Sequence, residues 1–189
     1  MNHTDSIKYI LKVEQPSDME ISKIKTTVHQ VSGLAPIEDG DCRILILGTM
    51  PGLESLRQQA YYANPRNLFW DLIAGVTGET APENYEDKKA YLRRHKVALW
   101  DMCQVCNRSG SLDSNISDEV PNDIKTFIAV HPHLKAIGCN GKESARMFRK
   151  HIVGIESVQF IPLPSTSPAN AGVSREKKEE AWCRLKEFI

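Results

Sequence analysis

Short apolar runs alternate along the chain with amphipathic segments, and this alternation predicts the secondary structure. Residues 43–47 are nearly all Ile and Leu, which is typical of a strand buried on both faces of a parallel sheet. Three later runs of similar length and composition predict three more strands. The four predicted strands are residues 43–47, 97–101, 135–139 and 158–161.

Segments with apolar residues at helical spacing lie between these strands. In residues 68–76 the apolar side chains fall on one face of a helix, and Asn67 precedes them as an N-cap. Residues 103–116 mix Gly110 with several Ser, Asn and Asp residues, and this composition predicts irregular structure. The predicted helices are residues 53–59, 68–76, 85–95, 121–130, 142–151 and 174–188.

The order of these elements predicts the fold class. Strands and helices alternate, which favours an α/β fold, a three-layer α/β/α sandwich around a four-stranded, mainly parallel sheet. The 189 residues suffice for one such domain with a substantial core. Residues 1–30 fit none of the predicted elements, so we assign them to an N-terminal extension and residues 31–189 to the domain.

Composition narrows the cellular setting and the cofactor classes. The 24 Lys and Arg residues balance 24 Asp and Glu residues, so net charge gives no sign of a nucleic-acid partner. Cys103 and Cys106 form a lone C-x-x-C without the partners that a metal site requires. No apolar run approaches the ~20 residues that span a bilayer. We therefore expect a cytoplasmic monomer with no metal, no cofactor and no membrane contact.

Small polar residues follow the predicted strands. The carboxyl ends of parallel strands meet at one edge of the sheet, where α/β proteins bind their ligands. The first of these segments lacks the patterns of a P-loop, a dinucleotide fold or a nucleophile elbow. Neutral groups at this edge suit hydrogen bonding to an uncharged planar group and stabilisation of developing charge. The strand ends carry Gly48, Thr49, Met50, Pro51 and Gly52, then Asp101, then Asn140, then Ser165, Thr166 and Ser167.

Five motifs in a fixed order resemble the uracil-DNA glycosylase superfamily, and most of all its DNA-deoxyinosine (hypoxanthine-DNA) glycosylase branch. The resemblance extends from about residue 33 to the C-terminus. The motifs are Gly-x-x-Pro-Gly at 48–52, Tyr-Tyr-Ala-Asn-Pro-Arg-Asn-x-Phe-Trp at 61–70, Ala-Leu-Trp-Asp at 98–101 with Arg-Ser-Gly-Ser-Leu-Asp at 108–113, Asn-Gly-Lys at 140–142 and Pro-Ser-Thr-Ser-Pro-Ala at 164–169.

The resemblance implies an enzyme that removes deaminated bases, chiefly hypoxanthine, from double-stranded DNA without a cofactor. Such an enzyme draws the base out of the stack into a pocket. Many members carry an acidic or amide residue where this chain has Met50, and this departure agrees with the deoxyinosine branch. The resemblance then assigns Asn67 as the catalytic residue that positions the water. Asn67 as a helix cap is the structural alternative, and both roles are compatible.

The resemblance also implies a set of groups that bind the base. Tyr62 is the aromatic platform, with Tyr61 as the alternative, and simple core packing is the structural explanation for both. Backbone N–H groups of Thr49 and Met50 face the base. Asp101 stands where other members keep a base-recognising Asn, and a satisfied buried acid is the alternative there.

The last two motifs are predicted to contact base, sugar and phosphate. Asn140 is assigned to the base or sugar, with an ordinary Asn-Gly turn as the alternative. Ser165, Thr166 and Ser167 offer hydroxyl and N–H groups to the phosphates beside the extruded nucleotide.

Three other functions stay open at this point. One is a binding module of the same fold that recognises damaged or single-stranded DNA without cleaving it. Another is a glycosylase whose main substrate is uracil or xanthine. The third is an enzyme acting on a free nucleoside, which would release hypoxanthine from deoxyinosine itself.

Overall fold

The computed structural model describes residues 29–189, which form two β-sheets and six α-helices. None of these helices is long and apolar enough to cross a membrane. The strands are β1 (His29–Ser32), β2 (Ile44–Gly48), β3 (Val97–Asp101), β4 (Cys103–Arg108), β5 (Ser117–Pro121), β6 (Ala136–Asn140) and β7 (Gln159–Leu163). The helices are α1 (Leu53–Gln58), α2 (Phe69–Thr77), α3 (Tyr85–Arg94), α4 (Ile124–Val130), α5 (Lys142–His151) and α6 (Arg175–Cys183), with short 3-10 helices at Asp113–Asn115 and Arg184–Phe188.

The larger sheet is parallel and has the strand order β3-β2-β6-β7. Its two inner strands, β2 and β6, are buried along their whole length, as expected of strands that are covered on both faces. Gly48 at the end of β2 pairs in register with Asp101 at the end of β3. Asn140 and Leu163 end β6 and β7 in the same way. The predicted α/β class and the four-stranded parallel sheet are confirmed.

Two apolar layers cover the parallel sheet, one on each face. Ile44 and Ile46 of β2 pack into one cluster with α2, α3 and α6. Leu45 and Leu47 pack into a second cluster with α4 and α5. Successive side chains of a strand point to opposite faces, so a continuous apolar run supplies both layers. The three-layer arrangement follows directly from this pattern.

A second, antiparallel sheet of order β1-β4-β5 corrects one prediction. Residues 103–116 were predicted to be irregular, which is wrong because they begin with strand β4. The partner of β4, strand β1, is distant in sequence, and the β4–β5 pairing shifts register twice. No local sequence pattern therefore predicts β4. Of the predicted extension, residues 1–30, all but the last two lie outside the described residues, and those two belong to β1.

Element ends differ from the predicted ones by a few residues. Helix α4 starts at Ile124 because Pro121 belongs to β5 and the Asp123 carboxylate accepts the Thr126 N–H at 3.0 Å. The predicted last helix is α6 followed by a 3-10 turn.

The five cysteines divide into four buried thiols and the exposed thiol of Cys183. Burial raises the pKa of the thiols of Cys42, Cys103 and Cys139 to about 12. These thiols therefore stay protonated at neutral pH and fill space as small apolar groups.

Helix α6 is anchored by Trp182, which is fully buried. Its ring meets the Phe69 ring edge-on with centroids 5.9 Å apart, and its Nε1 donates to the carbonyl of Pro164 at 3.1 Å. One side chain thus joins α6 to α2 and to the segment that follows β7.

Trp182→Phe is expected to lower the free energy of unfolding by about 2–3 kcal/mol, because it removes a hydrogen bond and leaves a cavity at a fully buried side chain. Urea unfolding measures this change. Trp100→Phe is the matched control, since Trp100 also donates to a carbonyl, that of Leu34, but is only half-buried. A loss at Trp182 no larger than the loss at Trp100 would contradict the anchoring role.

Candidate active site

A single cleft of about 780 Å³ lies at the carboxyl edge of the parallel sheet. Every residue that the sequence predicted for the site lines this cleft, although the residues come from five separate segments. These lining residues are Gly48, Thr49, Met50, Pro51, Gly52, Tyr62, Asn67, Asp101, Asn140, Ser165, Thr166 and Ser167.

Residues 48–52, which comprise the last residue of β2 and the connection to α1, form one wall of the cleft and are called the 48–52 loop. The side chains of Asp101 and Met50 determine its shape. Only glycine fits at position 48, because a Cβ there would overlap Oδ1 of Asp101. Met50 is 6% exposed and its side chain packs into the second apolar cluster. Met50 therefore contributes backbone groups to the cleft rather than side-chain chemistry.

Asp101 brings a buried carboxyl group to the floor of the cleft. The residue is 3% exposed, and its Oδ2 has no hydrogen-bond partner within residues 29–189. Burial, followed by the negative charge of Asp113, raises the pKa of Asp101 to about 7, and the positive charge of Arg108 opposes this shift. A buried carboxyl group with unused hydrogen-bonding capacity marks a place where a ligand can bind.

The amide of Asn140 joins three segments of the cleft. Its Nδ2 donates to the hydroxyl oxygens of Tyr62 and Thr166, both at 2.9 Å. Its Oδ1 accepts the Thr166 N–H, also at 2.9 Å. The side chains of Asn140 and Thr166 therefore bind each other, and their predicted contacts with substrate stay predictions.

The two tyrosines occupy different environments. Tyr62 is half-buried, and one face of its ring stacks on Phe69 with centroids 4.0 Å apart. Its φ of 52° lies in the left-handed region, which non-glycine residues seldom adopt. Tyr61 is 3% exposed, and its hydroxyl donates to the carbonyl of Leu34, as a core residue does. Tyr62 is thus the better placed of the two to stack with a ligand.

Asn67 lies two residues before α2 and lines the cleft. The N-cap residue of α2 is Leu68, so the predicted N-cap is one residue too early, although Oδ1 of Asn67 accepts the N–H of Phe69, the first helical residue, at 3.0 Å. The neighbouring Leu68 N–H donates to the carbonyl of Thr166 at 3.1 Å, which joins this segment to the one after β7. Within the described part of the chain, Nδ2 of Asn67 has no acceptor. Asn67 therefore offers an N–H donor to the cleft.

The segment after β7, which we call the 164–170 loop, is held by its own polar side chains. Ser165 Oγ accepts the Ser167 N–H, and Ser167 Oγ accepts the Ala169 N–H, both at 3.2 Å. Asn170 Nδ2 donates to the carbonyl of Ser165, and the buried Lys178 donates to the carbonyl of Asn170 at 3.0 Å. This wall of the cleft is therefore preorganised.

The segment after β4 supplies site residues that the sequence prediction did not include. Asp113 Oδ2 accepts the Thr49 hydroxyl proton at 2.8 Å, and Ser111 Oγ accepts the Leu53 N–H at 3.0 Å. Arg108, at the end of β4, donates to backbone carbonyls of the 48–52 loop. The Arg-Ser-Gly-Ser-Leu-Asp motif at 108–113 could have indicated these site residues. Because the segment was predicted to be irregular, the motif could not be placed relative to the sheet.

Charges of both signs border the cleft. Two basic residues, Arg66 and Lys142, line it together with four acidic ones, which are Glu54, Asp101, Asp113 and Glu143. Within residues 29–189, no group of three or more His, Cys, Asp or Glu side chains is placed to hold a metal ion. The cleft thus presents mainly hydrogen-bonding groups.

Comparison with known proteins identifies relatives over most of the chain. The family model of the Uracil DNA glycosylase superfamily matches residues 36–186. A Methanosarcina acetivorans protein named hypoxanthine DNA glycosylase is 36% identical over 149 residues, which cover 78% of this chain and 93% of the relative. A Methanosarcina barkeri protein of the same name is 38% identical over 151 residues, covering 79% and 94%. A solution NMR structure of a Methanosarcina acetivorans protein has a TM-score of 0.75 and 33% identity, covering 85% of this chain and 99% of that one.

Asp101→Asn is expected to make stability less dependent on pH. The folded-state pKa of about 7 exceeds the ordinary value of 3.8, so the folded protein binds more protons between these values and loses stability as pH rises through 7. The amide of Asn at position 101 does not titrate, so the variant does not lose this stability as the pH rises. The unfolding free energy of the variant minus that of wild type should therefore rise by about 2–3 kcal/mol between pH 5 and pH 8.5. Urea unfolding across this range measures the shift.

Asp123→Asn is the control for this experiment. Asp123 is exposed, and the Thr126 N–H lowers the pKa of its carboxyl group, so it is ionised in both folded and unfolded chains from pH 5 to 8.5. Its effect on stability should therefore be independent of pH. Parallel pH profiles for wild type and Asp101→Asn would show that the Asp101 carboxyl is not held neutral by burial.

Proposed function

This chain belongs to the uracil DNA glycosylase superfamily, and from that premise we propose that it is a DNA glycosylase that hydrolyses the N-glycosidic bond of deaminated bases, chiefly hypoxanthine. The main structural support is the cleft in which all the predicted site residues converge. The names of the two Methanosarcina relatives support hypoxanthine as the preferred base.

Base recognition in this proposal uses stacking and hydrogen bonds. A cleft of about 780 Å³ has room for one extruded nucleotide, and an enzyme that works on a base takes it out of the duplex. The base stacks on the open face of Tyr62. Asp101 is assigned to its polar edge, because this residue brings a carboxyl group to the lining of the cleft.

Asn67 positions water for the bond cleavage. Glycosidic hydrolysis passes through an oxocarbenium-like sugar, so the water needs orientation more than deprotonation. The Asn67 Oδ1 is engaged by the Phe69 N–H, and Nδ2 is left to hold the water oxygen. The water adds to the sugar carbon as the carbon–nitrogen bond breaks, the bonding electron pair leaves with the base, and the water proton passes to solvent or to the base.

The duplex is held at the rim of the cleft. The hydroxyl groups of Ser165 and Ser167 still have their protons to donate, and together with the exposed Lys142 they can bind phosphates that flank the extruded nucleotide. Double-stranded DNA with a deaminated base is the proposed partner. Action as a monomer and in the cytoplasm stays a prediction.

One observation favours a second candidate, a module that binds damaged DNA without cleaving it. Met50 stands where an activating side chain would face the water, and it packs instead into the apolar cluster. Such a module would bind duplexes in a salt-sensitive way and release no base.

Wild-type protein is expected to release hypoxanthine from a duplex that contains one deoxyinosine. Alkaline cleavage of the resulting abasic site reports the reaction. Asn67→Ala should lower the single-turnover rate by about 100-fold or more, because the water loses its orientation.

Asn84→Ala is the matched control, since Asn84 Oδ1 also accepts an N–H at the start of a helix, that of Glu86, yet Asn84 does not line the cleft. Each substitution removes one such hydrogen bond, worth about 1 kcal/mol. Equal rates for the two variants would remove Asn67 from the reaction, and binding without strand breaks in wild type would favour the non-catalytic module. Release of base from free deoxyinosine would instead indicate a nucleoside enzyme.

A further inference from the structure

All carbonyl groups of the 48–52 loop are bonded to other parts of the protein. The carbonyl oxygens of Gly48 and Thr49 accept N–H groups that follow β3, and that of Gly52 accepts the N–H of Leu56 in α1. The remaining two, those of Met50 and Pro51, are bonded by the Nη1 and Nη2 atoms of Arg108.

This bonding fixes the direction of the N–H groups in the loop. In a trans peptide the C=O of one residue points away from the N–H of the next, and no peptide bond in residues 29–189 is cis. The bonds to the carbonyls of Gly48 and Thr49 therefore orient the N–H groups of Thr49 and Met50. The bond from Arg108 to the carbonyl of Pro51 orients the N–H of Gly52 in the same way.

The N–H groups of Thr49, Met50 and Gly52 find no acceptor among residues 29–189. All three residues line the cleft, and the opposite ends of their peptides are held by the protein. Backbone donors fixed in this way bind negative charge without having to reorganise. The loop is therefore equipped to meet an atom on which negative charge develops.

Arg108 holds this loop at a cost to the fold. The residue is 1% exposed, its Nε has no hydrogen-bond partner within the described chain, and no carboxylate there lies at ion-pair distance from it. A buried charge without a paired counter-charge destabilises a protein. A neutral side chain would hold a loop at lower cost, which indicates that the positive charge itself has a use.

Two acidic residues near the loop, Asp101 and Asp113, give the positive charge of Arg108 a role. Asp101 lies on the floor of the cleft, and Asp113 is hydrogen-bonded to Thr49. A base that leaves with the bonding electron pair brings further negative charge next to these two carboxyl groups. Arg108, directly behind the loop, is placed to offset their repulsion where screening by water is weak.

We propose that Arg108 is a positioning residue for base departure, which holds the peptide that presents the Gly52 N–H to the leaving base and stabilises the charge that develops on that base. The inference rests on the proposed glycosylase function. Arg108 transfers no proton, and it acts through the loop and through its charge. The proposal applies to bases that leave as anions. The rate of base release should depend most strongly on the charge of Arg108 for the base that is the poorest leaving group.

The test compares two leaving bases in two Arg108 variants. Duplexes carry either hypoxanthine or 2-fluorohypoxanthine, whose fluorine stabilises the departing anion. Arg108→Gln removes the charge and should lower the single-turnover rate about 100-fold for hypoxanthine and about 10-fold or less for the fluorinated base. Arg108→Lys keeps the charge but loses the paired contacts, so both rates should fall about 10-fold with their ratio within 2-fold of wild type. Affinity for a duplex with a stable abasic-site analogue should change less than about 3-fold in both variants.

Arg175→Gln is the control, since Arg175 is an exposed arginine of α6 that does not line the cleft. Equal losses on both bases in Arg108→Gln, or rates near those of wild type, would overturn the inference. Should Arg108→Gln fail to fold, Arg108→Lys decides the matter, because an unchanged rate or a changed ratio would overturn it. A wild-type protein that releases neither base would refute the proposed function and the inference together, whereas active wild type with unaffected variants would refute only the role of Arg108.

Discussion

Three hydrogen bonds of the Asn140 amide hold the cleft in one piece. They connect the end of β6 to Tyr62 on one side and to Thr166 on the other, and Thr166 in turn accepts the Leu68 N–H. The joined segments come from distant parts of the chain. Hydrogen bonds are directional, so they fix the relative positions of these segments more closely than apolar packing alone would. Asn140 and Thr166 are buried, so breaking a bond between them leaves an unsatisfied polar atom, which costs more than the bond itself contributes.

Much of the framework could be predicted because its signals are local. Strand β3 and helix α5 lie at the predicted bounds, since an apolar run followed by polar residues and a strongly amphipathic decamer each indicate one structure. The convergence of the site could also be predicted, because parallel strands bring their carboxyl ends to one edge whatever their separation in sequence. That argument places Asp101 and Asn140 at this edge, and both line the cleft.

The remaining parts depend on contacts that no local pattern reveals. Strand β4 pairs with β1, and its other edge is interrupted by register shifts, so Cys103–Arg108 carries no clean alternation. Arg108 has the sequence appearance of a surface residue, since arginine is almost never fully buried without a partner. The local rules thus fail at the segment that carries the charge behind the loop. Such failures are expected where a chain retains costly groups for function rather than for stability.

The distribution of the cysteines has a practical consequence for following this protein on DNA. Four thiols are shielded in the core, so a maleimide dye added to the native protein is directed to Cys183 alone. That residue follows Trp182, whose indole holds the carbonyl of Pro164, and lies on the helix whose Lys178 holds Asn170. A fluorophore at this position would therefore be attached to the helix that supports the 164–170 loop, at a residue that does not line the cleft. The unmodified sequence thus already contains an attachment point for single-molecule observation of the search for lesions.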